Sequence, residues 1–192
     1  ILRRVRAERI TDPGAYEGWG WANGSWGWGN EPTPILEKVT SGERFGEMCL
    51  RYIQNQWVLL TFDASTNGGY DIDVRVFAKP TDNMYEAKKS TPIRGSGWEN
   101  EGPDAVAQLY GPSIVPGSTF DAGFHIFVSQ WNTATGWPYR AMQFKIPIDP
   151  VLPIAPVEPP LVTPPVVVVP DADPVVTQPP CLLYTSPSPR DA

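Results

Sequence analysis

The sequence predicts an all-β fold for about residues 1–148. Three observations carry that reading. Two strand-rich blocks share one layout, an apolar run, a polar turn and a second apolar run: "GEMCLRYIQNQWVLLTFDAS" and "YGPSIVPGSTFDAGFHIFVSQWN". Period-two runs bounded by Gly, Asn and Asp turns read as strands. Residues also recur at one offset. Tyr70 and Tyr139 open similar third strands, "YDIDVRVFAKP" and "YRAMQFKIP", 69 positions apart (139 − 70). Finally, 11 of the 23 prolines lie between Pro150 and Pro180, which separates a proline-rich stretch from the folded part. A repeated β-meander points to a β-propeller, with a two-sheet sandwich as the alternative.

Taken in order, "VRAERITDPGAYE" from Val5 matches "VRVFAKPTDNMYE" from Val74. It reads as the outer end of one blade. "YEGWGWANGSWGWGNEPTP", residues 16–34, holds four of the eight tryptophans and fits no helix or strand period. It is expected to be a glycine-rich loop crossing from rim to funnel. A full four-stranded blade is expected over residues 44–94 and most of another over 104–147, giving about two and a half blades. The rest of the ring is expected upstream of Ile1. Residues 149–180 contain no glycine or aromatic residue and read as an extended, disordered polyproline-type tail or linker. "CLLYTSPSPRD", Cys181–Asp191, back-translates into a string resembling a transposase-library sequencing adapter. Residues 181–192 are therefore set aside as non-native.

Composition narrows the function. A net charge of −6 argues against nucleic acid, which calls for a basic face. It suits a neutral ligand. The longest valine run, residues 166–169, is too short to span a bilayer. With the terminal segment set aside, one cysteine remains, Cys49, so no intramolecular disulfide is expected. One histidine, His125, and one cysteine make a zinc site a poor fit. The chain carries neither a P-loop nor a dinucleotide fingerprint on a strand–helix turn. No metal or cofactor is expected.

The candidate chemistry lies where innermost strands begin. Glu47, in "GERFGEM", starts one of them and can point into a funnel. Glycosidases use two carboxyl groups, one to protonate the leaving oxygen and one to activate water or attack. Glu47 is the first candidate and Asp104, in "NEGPDAVAQLYG", the second. The competing reading pairs Glu47 with Arg44 or Arg51 and makes Asp104 a solvated loop charge. Substrate contacts are expected from Trp26, Trp28 and Asn30, from Trp98 in "GSGWEN", from Gln108 and Tyr110 in "AQLYG", and from Trp131 in "QWNTATGWP". Indole rings stack on the C–H face of sugars, and the same rings also plug gaps between sheets. Trp26 and Trp28 are expected beside Glu47.

Taken together, "FGEMCLRYI", "WVLLTFDAS", "YDIDVRVF", "AQLYGPSIVPGST", "FHIFVSQWNT" and "WPYRAMQF" resemble a domain-of-unknown-function propeller family of mycobacteria, related actinobacteria and their phages. That family includes endo-D-arabinanases, glycoside hydrolases that cut cell-wall D-arabinan. The resemblance implies a five-bladed propeller, a polysaccharide partner, and a place outside the cell, in its envelope or on a virion. Two functions follow: endo-cleavage of an arabinan-type glycan with Glu47 in the acid set, or non-catalytic recognition of the envelope.

Overall fold

The computed structural model describes residues 1–37, 42–64, 70–103 and 105–152. Asp104, residues 153–180 of the proline-rich stretch and residues 181–192 lie outside the described residues. The chain is all-β and built of several sheets, mostly antiparallel. Helix among the described residues is limited to 3-10 turns at Ala7–Arg9, Pro13–Ala15 and Trp98–Asn100.

The first sheet joins β1 (Leu2–Arg4), β2 (Glu17–Ala22) and β3 (Ser25–Trp28) in that order. The tryptophan-rich stretch is therefore a β-hairpin, not the loop its glycine content predicts. Asn23 and Gly24, at φ 52° and 80°, form the tight turn. Two left-handed residues match the twist of paired strands, and Asn-Gly is the favoured pair there. Trp19 pairs with Trp28 and Trp21 with Trp26, so all four rings fall on one face. Gly18, Gly20 and Gly27 occupy the other face. That face lies under the returning chain: a Cβ at Gly20 would stand 1.8 Å from the Glu31 carbonyl oxygen.

The second sheet is β4 (Phe45–Ile53), β5 (Gln56–Asp63), β6 (Asp71–Phe77) and β7 (Lys89–Ile93), each antiparallel to the next. The third is β10 (Leu109–Ile114), β11 (Phe124–Trp131) and β12 (Tyr139–Ile146). It has three strands among the described residues. Between the two runs a short parallel pair, β8 (Gly95–Ser96) with β9 (Val106–Ala107).

Alternation explains how the sheets stack. On β11, Phe124, Ile126, Val128 and Gln130 point inward, while Phe127 and Trp131 face outward. Phe124, Ile126 and Val128 pack with Val58, Leu60, Ile72 and Val74 of the second sheet into one core. The β4–β5 turn places Gln54 and Asn55 at φ 45° and 65°, unfavourable for non-glycine residues. Contacts from the loop joining β10 to β11 offset that cost. The Gln54 amide donates to Asp121 at 2.8 Å and accepts from the Phe120 N–H at 2.8 Å.

The repeat also has a structural signature. Gly46 and Glu47 together oppose Phe62, making a β-bulge between Phe45–Asp63 and Met48–Thr61. Gly111 and Pro112 together oppose Val128 at the same place in the third sheet. The first strand of each sheet is thus bulged just beyond its first aromatic, Phe45 or Tyr110.

Candidate functional site

A concavity of about 630 Å³ is built around β8, the Trp98–Asn100 turn and the loop after β11. Its floor is set by backbone packing. Gly95 lies so close to Tyr70 that a Cβ would stand 2.3 Å from the Tyr70 carbonyl oxygen. The Gln108 N–H donates to the Ser96 carbonyl at 2.9 Å and extends the β8–β9 pairing.

Gln108 organises the walls. Its φ is 42°, a strained value for a residue with a side chain. Its Oε1 accepts from the Trp98 indole N–H at 2.7 Å and from the Thr133 N–H at 3.1 Å. The Gln108 amide oxygen is thus spent on holding Trp98 and the 132–135 loop in place. Gln108 thus positions Trp98 and that loop, and it also lines the cleft, with its amide nitrogen 3.4 Å from Thr133 Oγ1. The Trp98 ring is half-buried and lines the cleft.

Polar groups surround that ring. Glu99 folds back over Gly97, and a Cβ there would lie 2.3 Å from its Oε1. Gly97 has an ordinary φ of −76°, so the carboxylate and not the backbone excludes a side chain. The Asn132 Oδ1 accepts from the N–H groups of Ala134 and Thr135 at 3.1 and 3.2 Å, fixing its amide. Ser96 is 7% exposed, and its hydroxyl has no protein partner among the described residues. A buried hydroxyl without a partner is costly unless something satisfies it.

A second cluster adjoins the cleft through Gln108, whose carbonyl accepts from the Trp131 N–H at 3.3 Å. Trp131 and Tyr139 rings lie 6.3 Å apart and Tyr110 and Tyr139 rings 6.1 Å apart. Glu47 sits across from Tyr110 on β4, close enough for its charge to act on the phenol. It is exposed and, among the described residues, in no ion pair with Arg44 or Arg51. The bulge turns it outward, a common use of bulges beside functional sites. The equivalent bulge in the third sheet carries Pro112, so the carboxylate is not repeated.

Tyr110 is pushed up to about 12, first by burial and then by its hydrogen bond to Tyr139. Burial disfavours the charged phenolate. Because the folded value lies above the unfolded one, the neutral phenol stabilises the fold fully below pH 10. That contribution is lost as pH rises from about 10 to about 12. The expected result is a melting temperature that falls more steeply across this window in the native chain than in Tyr110→Phe. Parallel curves would refute it.

The predicted site residues thus fall in three places. Trp98 and Gln108 share the cleft. Tyr110, Trp131 and Glu47 share the adjoining cluster. Trp26, Trp28 and Asn30 belong to the first sheet. Trp26 touches Trp19 and Trp21, and Trp28 lies under the Arg4 guanidinium at 4.4 Å. The Asn30 amide, expected to meet a ligand hydroxyl, donates to the Gly20 carbonyl at 3.0 Å. Asp104 lies outside the described residues. Sequence reasoning missed Ser96, Asn132 and Tyr139. The Gly-Ser-Gly and Asn-Thr-Ala-Thr-Gly runs mark turns, but not which turns face each other.

The fold and site define an all-β protein of several sheets, mostly antiparallel, with a cleft lined by aromatic and polar residues. The chain belongs to the family described as domain of unknown function DUF4185, whose model matches residues 1–145. A curated relative, "Uncharacterized 35.9 kDa protein in asd 3'region" of Mycolicibacterium smegmatis, is 33% identical over 78% of this chain and 44% of its own length. Notoamide biosynthesis cluster protein J' of Aspergillus versicolor is 30% identical over 70% of this chain and 34% of its own length. The chain thus spans less than half the length of these relatives.

Proposed function

We propose that this chain is part of a carbohydrate-active β-propeller protein and supplies it with a glycan-binding cleft. The second and third sheets are consecutive blades of a five-bladed ring in this reading, and the first sheet belongs to a further blade. The observation that carries the reading is the Trp98 cleft. A half-buried tryptophan with its N–H already bonded lines the cleft together with a carboxylate and an amide, and an unpartnered buried hydroxyl lies in the same wall. Sites with one aromatic platform and a few convergent polar groups suit a ligand with an apolar face and a hydroxyl edge. D-arabinan of the cell envelope is the first ligand to test, because the sequence resemblance implies it. Such a protein works in the envelope, outside the cell or on a virion.

In the catalytic form of this reading, Glu47 is one carboxylate of the pair, and its partner comes from the rest of the longer protein. The runner-up is a non-catalytic recognition module, favoured by the proline at the second bulge. Titrating the chain with arabinan oligosaccharides by tryptophan fluorescence tests the shared part. Trp98→Ala is expected to weaken binding about tenfold. Equal affinity in the variant, or no binding by the native chain, sinks the reading. Glu47→Gln in a full-length relative that hydrolyses glycan separates the two forms.

A further inference from the structure

The tryptophan hairpin is not core. None of Trp19, Trp21, Trp26 or Trp28 belongs to the shared apolar cluster. Trp21 is 55% exposed and Trp26 42%. Large exposed aromatic surface calls for a role. A groove of about 420 Å³ runs between this hairpin and the loop joining β6 to β7, within the size range of small-molecule sites.

Both walls are held firm. The Trp26 ring stacks on Trp19, 6.0 Å away and within 16° of parallel, and Trp21 meets it edge-on at 6.0 Å. Opposite, Tyr85 is 53% exposed, yet its hydroxyl accepts from the Glu37 N–H at 2.6 Å. The loop is anchored by buried Met84 and by Asp82, whose Oδ2 accepts from the N–H groups of Ala78 and Lys79 at 3.0 and 2.8 Å. Exposed rings that are already fixed lose little entropy when a ligand stacks on them.

The groove's chemistry selects among ligands. Asp82 Oδ1 and Asn83 Nδ2 have no protein partner among the described residues, so an acceptor and a donor flank the rings. The lining includes a carboxylate and no cation, which disfavours an anionic ligand. Trp19 lies nearly parallel behind Trp26, so a ligand meets one ring face there, whereas a quaternary-ammonium site needs rings that box the cation.

We infer that this groove is a second site for a neutral saccharide, separate from the Trp98 cleft, with Trp26 and Tyr85 as stacking surfaces and Asp82 and Asn83 as hydroxyl partners. The inference rests on the carbohydrate reading above. Its function would be to hold a second stretch of the polymer, so that one chain grips two segments.

The test is calorimetric titration of the full chain with arabinan oligosaccharides, with choline as a control, in native, Trp98→Ala, Trp26→Ala and Tyr85→Ala forms. Melting curves check that each variant is folded. Two saccharides per chain are expected for the native form. In the Trp98→Ala background, adding Trp26→Ala or Tyr85→Ala should weaken the remaining site about tenfold. If the native chain binds one saccharide, lost in Trp98→Ala and untouched by the hairpin variants, the second site is refuted and the proposed function stands. If the native chain binds no neutral saccharide, both fall. Choline binding lost in Trp26→Ala would overturn the ligand class.

Discussion

Gly20→Ala is expected to destabilise the protein by about 3–5 kcal/mol, combining overpacking with the loss of several hydrogen bonds. The added Cβ would stand 1.8 Å from the Glu31 carbonyl oxygen and 2.8 Å from its carbon. Both are backbone atoms and cannot swing aside. The 30–33 segment would have to lift off the hairpin. That breaks the bonds from Asn30 Nδ2 to the Gly20 carbonyl, from the Trp21 N–H to Thr33 Oγ1 and from the Thr33 N–H to the Trp19 carbonyl, at 3.0, 2.9 and 3.1 Å. Gly24→Ala in the same hairpin is the control. Gly24 has φ 80° and nothing within 4 Å of its missing Cβ, so only backbone strain applies, about 1 kcal/mol. Urea unfolding of both variants decides the matter. Equal losses would show that the returning chain does not constrain Gly20.

Gln56→Leu is expected to cost about 2–4 kcal/mol although the two side chains are close in size. Gln56 is 0% exposed and opens β5. Its Oε1 accepts from the N–H groups of Val151 and Leu152 at 2.6 and 2.8 Å, and its Nε2 donates to the Leu152 carbonyl at 3.2 Å. One side chain thus pairs a bent segment that lies outside every sheet. Leucine would leave those backbone groups without partners, and the segment would leave the surface. Hydrogen exchange at the Val151 and Leu152 amides should then speed up along with the drop in stability. A chain ending at Pro150 should make the two residues at position 56 nearly equivalent, because linked losses do not add. Unchanged exchange at 151 and 152 in Gln56→Leu would contradict this account.

The sequence alone determined the all-β class and the two similar sheets. The reason is local. "QWVLLTFD", "YDIDVRVF" and "FHIFVSQW" place apolar residues at every second position, and the side-chain period of a strand is two whatever it packs against. The offset of 69 residues marks a repeated meander because each sheet must bury a similar face.

The tryptophan hairpin shows where local reading stops. Its rings also alternate, and Asn23-Gly24 is a hairpin turn, yet the intervening glycines read as loop because glycine weakens a strand. Their necessity appears only when residues 30–33 lie across them. Tertiary structure alone decided the site. Gln108 and Trp98 are ten positions apart, Gln108 and Thr133 twenty-five, and only the β8–β9 pairing and the third sheet's loop bring them together. A glutamine's role depends on which donors surround it, and no periodicity encodes that. The same holds for Glu47. Its position at a strand start is legible, but its exposure goes with a bulge at Gly46, where the Phe62 ring, 2.4 Å from a would-be Cβ, leaves no room for a side chain.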